Sequence, residues 1–247
     1  MAINPLRAFQ PGKVTVNFAV SVDGRITTRT REHVSLGSEK DRRLMDELRV
    51  DAEVIIIGAG TVRHDGRPMI LRYDDLRRKR VAKRRPLHPV NVVLTHSLDL
   101  SPRSRFFANK DVPRIIFTTS RAPKARVRSF SKVAEVVVLR GTDIDPKRVM
   151  KELRQRGMKR VLLEGGGEVH FSFAQAGLVG DLFVTVTPRL IGGKEAPSLL
   201  DGEGFLWKDH IALKLVSSRR VGEEIFLHYR VAAARRRPAR TARARRP

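Results

Sequence analysis

Cysteine is absent from the 247 residues, which excludes disulfides, thiolate metal sites and cysteine nucleophiles together. Aromatic residues are scarce, at 6% with one tryptophan and two tyrosines. No stretch approaches the ~20 apolar residues of a membrane span. The start, "MAINPLRAFQPGK", lacks the apolar run of a secretory signal, so a cytoplasmic location is the expectation. The seven histidines show no H-E-x-x-H or H-x-H spacing, which leaves a metal site without support. A G-x-S-x-G nucleophile elbow is also missing.

Acids are few beside bases, and the net charge is +24. Much of the excess sits in two blocks. "LRRKRVAKRR" (76–85) holds seven cations, and the stretch from Val231 to Pro247 holds seven arginines; neither holds an acid. Such blocks read as a solvated loop and a disordered tail (232–247) with nonspecific polyanion affinity. A dedicated nucleic-acid or acidic-partner role is the alternative, although the near absence of aromatics from both argues against base stacking.

What remains is a regular alternation of elements. "VTVNFAVS" (14–21), "EVIIIGAG" (53–60), "VNVVLT" (90–95), "PRIIFTT" (113–119), "AEVVVLR" (134–140) and "KRVLLEGGG" read as strands of a largely parallel sheet. "SEKDRRLMDELR" (38–49) opens like a helix capped by Ser38, with Leu44, Met45 and Leu48 at helical spacing. "DPKRVMKELRQRG" (145–157) has proline just inside and glycine just past a helix. "EVHFSFAQAG" predicts a helix ending at Gly177. "DLFVTVTPRL" (181–190), "IALKLVSSRRV" (211–221) and "EEIFLHYRV" (223–231) close the chain as strands, the last two forming an antiparallel edge hairpin about Gly222. The expectation is one mixed-sheet α/β domain over 13–231, preceded by an extension over 1–12.

Two turns carry the functional signal. "EGGG" (164–167) and "GAGT" (58–61) each follow a buried strand and precede a helix, where backbone N–H groups and the positive helix end suit a phosphate. Two such turns at strand carboxyl ends favour a dinucleotide, although neither fits G-x-G-x-x-G. Arg77, Arg78 and Lys79 follow Gly58 at the distance where a ribose-binding acid is usual, which favours a 2′-phosphate. Glu164, ending an apolar strand, needs a partner or a ligand, because burying a bare carboxylate is expensive. It is either structural, paired with an arginine, or a group that meets substrate. Asp23 and Asp65 lie just beyond strands as candidate site acids or turn formers. Arg49, Arg72 and Arg189 are candidate phosphate clamps, and His33, His64 and His170 lie near these segments.

As a set, "VNFAVSVDGRI", "LRVDAEVIIIGAGTVRHD" and "VLLEGGGEVHFSFAQAGLVGDLFVTVTPRLIGGKEAPSLLDGEG" resemble the riboflavin-biosynthesis reductases, most closely the stand-alone archaeal type. The resemblance spans roughly residues 13–230. It implies a dihydrofolate-reductase-like three-layer fold and a homodimer. The activity it implies is NADPH-dependent reduction of 2,5-diamino-6-ribosylamino-4(3H)-pyrimidinone 5′-phosphate to the ribitylamino compound, with NADH as an alternative donor. By the same resemblance Thr61, Asp65, Gly166, Gly167, Glu168 and Val169 face the cofactor, and Ala19 passes the nicotinamide. Glu164, Arg49 and Arg72 face the substrate, with Glu164 in the catalytic role.

Relatives with a zinc deaminase domain ahead of the reductase contrast with this cysteine-free chain, which is expected to be monofunctional. Two departures stand out. Asp65-Gly66-Arg67-Pro68 displaces a family proline and leaves the path to Arg72 open, and Thr95-His96 replaces a family Asp-Ser. Two other readings stay on the table: a related NADPH reductase of another pterin or pyrimidine, and a polyanion-binding protein on a reductase scaffold.

Overall fold

A computed structural model describes residues 8–32 and 35–232. His33, residues 1–7 of the expected N-terminal extension and residues 233–247 of the basic tail therefore lie outside the described residues. Among those described, nine strands form one sheet in the order β5-β4-β3-β2-β6-β1-β7-β9-β8. They are β1 (Val14–Ser21), β2 (Val54–Gly58), β3 (Val90–Leu94), β4 (Arg114–Thr118), β5 (Glu135–Val138), β6 (Val161–Leu163), β7 (Val179–Thr187), β8 (Leu213–Val221) and β9 (Glu224–Val231). All neighbours from β5 to β7 run parallel, and β7-β9-β8 is antiparallel. Gly222, at φ 61°, turns the edge hairpin as expected.

Helices cover both faces, giving three layers. These are α1 (Glu39–Asp51), α2 (Ala59–Asp65), α3 (Asp74–Ala82), α4 (Arg105–Ala108), α5 (Lys124–Phe130), α6 (Pro146–Gln155) and α7 (Gly167–Gln175). The period-two alternation of strand side chains divides the core. Val54 and Ile56 of β2 join Val149, Leu153 and Phe173 from α6 and α7. Ile55 and Ile57 turn the other way, to Leu48, Val62, Phe106 and Phe130 from α1, α2, α4 and α5. The fully buried strands have apolar residues on both faces, which is why they read as continuous runs rather than alternations.

Local signals act as their chemistry predicts. The Ser38 hydroxyl accepts from the amides of Lys40 and Asp41 to cap α1. Pro146 opens α6, and the Asp145 carboxylate accepts from Lys147 N. The basic segment 76–85 corrects the reading of a solvated loop. It overlaps most of α3, whose Leu76 packs with Val50 and Leu71, while the Arg80 side chain is fully buried. Residues just ahead of β1 are tied to the sheet, with Gln10 Nε2 donating to Asp181 Oδ2 at 2.6 Å.

The strand order creates the feature that matters for function. From β2 the chain builds outward through β3, β4 and β5, then returns to insert β6 between β2 and β1. The carboxyl ends of β2, β6 and β1 thus meet where the winding reverses, and open α/β sheets hold ligands in such a crevice.

Candidate active site

A cavity of about 1280 Å³ opens at this switch point. Its lining includes Ala19, Arg49, Thr61, Asp65, Arg72, Glu164, Gly166, Gly167, Glu168 and Val169, so the predicted site residues converge on one cleft. His64 and His170 line it too, whereas Asp23, Arg77, Arg78, Lys79 and Arg189 are outside the lining. Asp23 ties the turn after β1 to the segment that follows β7. Its carboxylate accepts from Ile191 N and Gly192 N, and hydrogen bonds from Ser21 and these amides hold it near pKa 2. Arg77 binds Leu71 O and Asp74 on α3, so the 2′-phosphate role suggested for the run 77–79 has no geometric basis. Arg189 binds Leu36 O.

Each glycine of the triplet has its own reason. A Cβ on Gly165 would lie 2.6 Å from Ile57 Cα, because β6 leaves the sheet pressed against β2. Gly166 has φ 65°, the left-handed conformation that turns the chain into α7. A Cβ on Gly167 would lie 2.5 Å from both Ser198 O and the Asp201 carboxylate. The two turns also touch, since a Cβ on Gly58 would lie 2.9 Å from Val169 Cγ2. Neither α2 nor α7 has a side-chain cap, so the first amides of both helices stay open at the cleft.

Glu164 continues the β6 ladder, its amide donating to Ile56 O at 3.1 Å. Its carboxylate is gripped by a two-pronged arginine: Arg49 Nε donates to Oε1 at 2.8 Å and Nη2 to Oε2 at 2.6 Å. Both side chains are about 5% exposed. Arg49 Nη1 also donates to Asp46 Oδ1 at 3.1 Å and to Ile70 O at 2.6 Å, and Nη2 meets Met69 Sδ. Burial works to lower the Arg49 pKa, but the Glu164 and Asp46 carboxylates outweigh it and hold it above the usual guanidinium range. Every N–H of Arg49 is thereby engaged, which leaves it no fork for a substrate phosphate.

Asp46, absent from the sequence reading, is the hub. Fully buried, it accepts at Oδ1 from Arg49 and from Arg72 Nε (3.2 Å) and Nη2 (2.9 Å), and at Oδ2 from the Arg72 amide. Arg72 is partly exposed, lines the cleft, and makes no hydrogen bond at Nη1 among the described residues. The displaced proline does not divert the chain from it. Gly66 ends α2 at φ 65° with its amide on Val62 O, and the segment then runs on to deliver Arg72 to Asp46.

Further polar groups complete the lining. Asn17, mid-strand in β1 and 2% exposed, has an Nδ2 with no partner among the described residues. The polar residue inside "VTVNFAVS" was the signal that could have found it. Burial raises the Asp41 carboxyl above its usual range, against a hydrogen bond from Thr185. The His170 ring lies tilted against Phe18, centroids 4.9 Å apart, with Nδ1 on Leu199 O, and burial pushes its pKa down to about 4 despite that carbonyl. At the departure after β3, Thr95 Oγ1 accepts from Leu98 N, and the His96 ring lies 3.9 Å from Asp143.

Comparison with known proteins follows from this geometry. Residues 12–227 match the family model described as the RibD C-terminal domain. The chain is 32% identical over 211 residues to the 2,5-diamino-6-ribosylamino-4(3H)-pyrimidinone 5′-phosphate reductase of Archaeoglobus fulgidus, covering 85% of this chain and 94% of that protein. In structure it is similar to a pyrimidine reductase-like protein from Corynebacterium diphtheriae, with TM-score 0.79, 23% identity and coverage of 94% and 96% of the two chains. It also resembles the dihydrofolate reductase of Enterococcus faecalis, a complex with NADP(H), with TM-score 0.52, 14% identity and coverage of 91% and 99%. The expected dihydrofolate-reductase-like architecture is thus borne out.

Proposed function

The chain belongs to the RibD C-terminal domain family, and from that membership we propose that it reduces the ribosylamino group of 2,5-diamino-6-ribosylamino-4(3H)-pyrimidinone 5′-phosphate to ribitylamino, a step of riboflavin biosynthesis, with NADPH as donor. The observation that carries this reading is the meeting of Glu164 with both glycine turns in one cleft at the sheet's switch point. Two uncapped helix starts and a triplet free of Cβ atoms fit a pyrophosphate, and the cavity has room for a second ligand beside a dinucleotide.

The bound dinucleotide supplies the hydride. In the substrate, the nitrogen lone pair expels the ring oxygen from C1′, O4′ takes up a proton, and the resulting C1′=N iminium, whose nitrogen keeps its hydrogen, would accept hydride at C1′ to give the secondary amine. The protein has to hold the iminium in line and keep water out. We assign Glu164 to the substrate's polar groups through the lone pairs that Arg49 leaves open. Arg49 then acts by fixing Glu164, and Arg72 takes the substrate phosphate. Thr61, Asp65, Gly166, Gly167, Glu168, Val169 and Ala19 face the dinucleotide.

Preference for NADPH over NADH rests on Arg63 and His96, which line the cleft beyond the neighbouring strands β2 and β3. Replacing both by alanine is expected to bring the two dissociation constants together. The partly exposed Leu213, Leu215 and Val216 of β8 support pairing of two copies.

The test incubates the purified protein with NADPH and the diaminopyrimidinone substrate, follows NADPH absorbance and weighs the product. A gain of two hydrogens is the expected result. Dinucleotide binding without turnover would point to another pterin or pyrimidine, and failure of both would overturn the proposal.

A further inference from the structure

Helix α1 ends without a glycine, since its C-cap Ala52 is extended at φ −66° and ψ 138°. Of the last four carbonyls of α1, Leu48 O alone is taken by a backbone amide among the described residues, that of Ala52. The carbonyls of Arg49, Val50 and Asp51 would otherwise be open at the negative end of the helix. Arg80 fills this gap. Its Nη1 donates to Arg49 O (2.8 Å), Val50 O (3.1 Å) and Ala52 O (2.5 Å), while Nε donates to Pro86 O (2.6 Å). Arg85 completes the set through Val50 O and Asp51 O. Arg80 is 1% exposed and has no carboxylate within ion-pair distance among the described residues, so its hydrogen bonds go to main-chain carbonyls, with Asp51 and Glu53 acting only at longer range. Desolvation, and then the neighbouring Arg85, push its pKa down to about 10, still charged near neutrality.

The carbonyl that Arg80 grips belongs to the residue whose side chain grips Glu164. Arg49 sits in the last turn of α1, so the direction of its guanidinium follows from how that turn is held. We infer that Arg80 is a positioning residue for the reaction: it fixes the end of α1 so that Arg49 presents Glu164 to the substrate in a single geometry. Arg80, alone among the cations of α3, is on this account a clamp on the active site, while Arg78 and Lys79 stay exposed. The inference rests on the assignment of Glu164 to the substrate.

Arg114 provides a matched control. It is also a buried arginine satisfied by carbonyls, those of Phe106, Val112 and Asn109, but it makes no hydrogen bond to α1 or Glu164 among the described residues. The experiment compares R80M, R80K, R114M and E164Q in the full chain, measuring melting, NADPH affinity and kcat below all melting points. R80M and R114M should both melt early. R80M should lose about tenfold or more in kcat, as expected when a reacting group is held loosely, with NADPH affinity nearly unchanged. R80K, which keeps the charge but loses the fork, should fall between R80M and the parent, and R114M should keep its kcat.

Equal kcat in R80M and R114M would overturn the inference. If R80M does not fold, R80K with parental kcat would do the same. Loss of turnover in E164Q but not in R80M would remove the role of Arg80 alone. Full turnover in E164Q would remove the Glu164 assignment first and the inference with it.

Discussion

Replacing Asp46 by asparagine should unbalance the buried cluster behind the cleft. Asp46 and Glu164 face Arg49 and Arg72, two charges of each sign. Asp46→Asn leaves one uncompensated cation and turns an NH2 group toward the Arg72 amide that Oδ2 accepts from. Breaking one member of a buried ion pair costs about 3–5 kcal/mol. Arg72 is 36% exposed and can recover part of its hydration, which places the estimate near the low end, about 3 kcal/mol. For a domain of this size that is a melting-point drop of about 6–12 °C. Thermal unfolding of D46N, R72M and the double variant measures both the drop and the coupling, expected to exceed about 1 kcal/mol. A D46N protein melting within about 2 °C of the parent would refute the claim that Asp46 organises the cluster.

The other predictions concern the cleft itself. Glu164→Gln should impair turnover far more than NADPH binding; a proportional loss of both would remove Glu164 from the substrate side. Gly165→Ala should destabilise by about 1–3 kcal/mol, because the new Cβ meets backbone at Ile57 that cannot swing aside, as urea unfolding would show. Gly60→Ala, with open space around it, should not destabilise. His170 is held neutral down to about pH 4, against an ordinary value of 6.5. The unfolded chain takes up that proton first, so stability is intact above pH 6.5 and falls by roughly 3 kcal/mol as the pH drops toward 4. His170→Phe should flatten the dependence over that window, and an unchanged profile would contradict the assignment of the shift.

The strands were legible because buried parallel strands need apolar side chains on both faces, and β2 and β6 say so in single runs. Ser38, Pro146 and the Gly222 turn were legible because caps and turns are local. What escaped depends on long-range partners. Helix α3 looked like a loop because its inward face consists of Leu76 and Arg80, and Arg80 becomes intelligible only against the open end of α1. Asp46 looked like one more charge on an amphipathic helix. Its spacing of three from Arg49 was the available hint, but its other partner is 26 residues away. Insertion of β6 between β1 and β2, which builds the cleft, is a property of topology that no local pattern carries. The resemblance supplied Ala19, Glu168 and Val169, which the residues alone would not have singled out.

The most direct test of hydride delivery uses NADPH carrying deuterium at both positions of nicotinamide C4. With purified protein and the diaminopyrimidinone substrate, the ribitylamino product should gain one deuterium, located at C1′ by fragmentation. NADPH consumption with an unlabelled product, or label elsewhere in the molecule, would contradict the account.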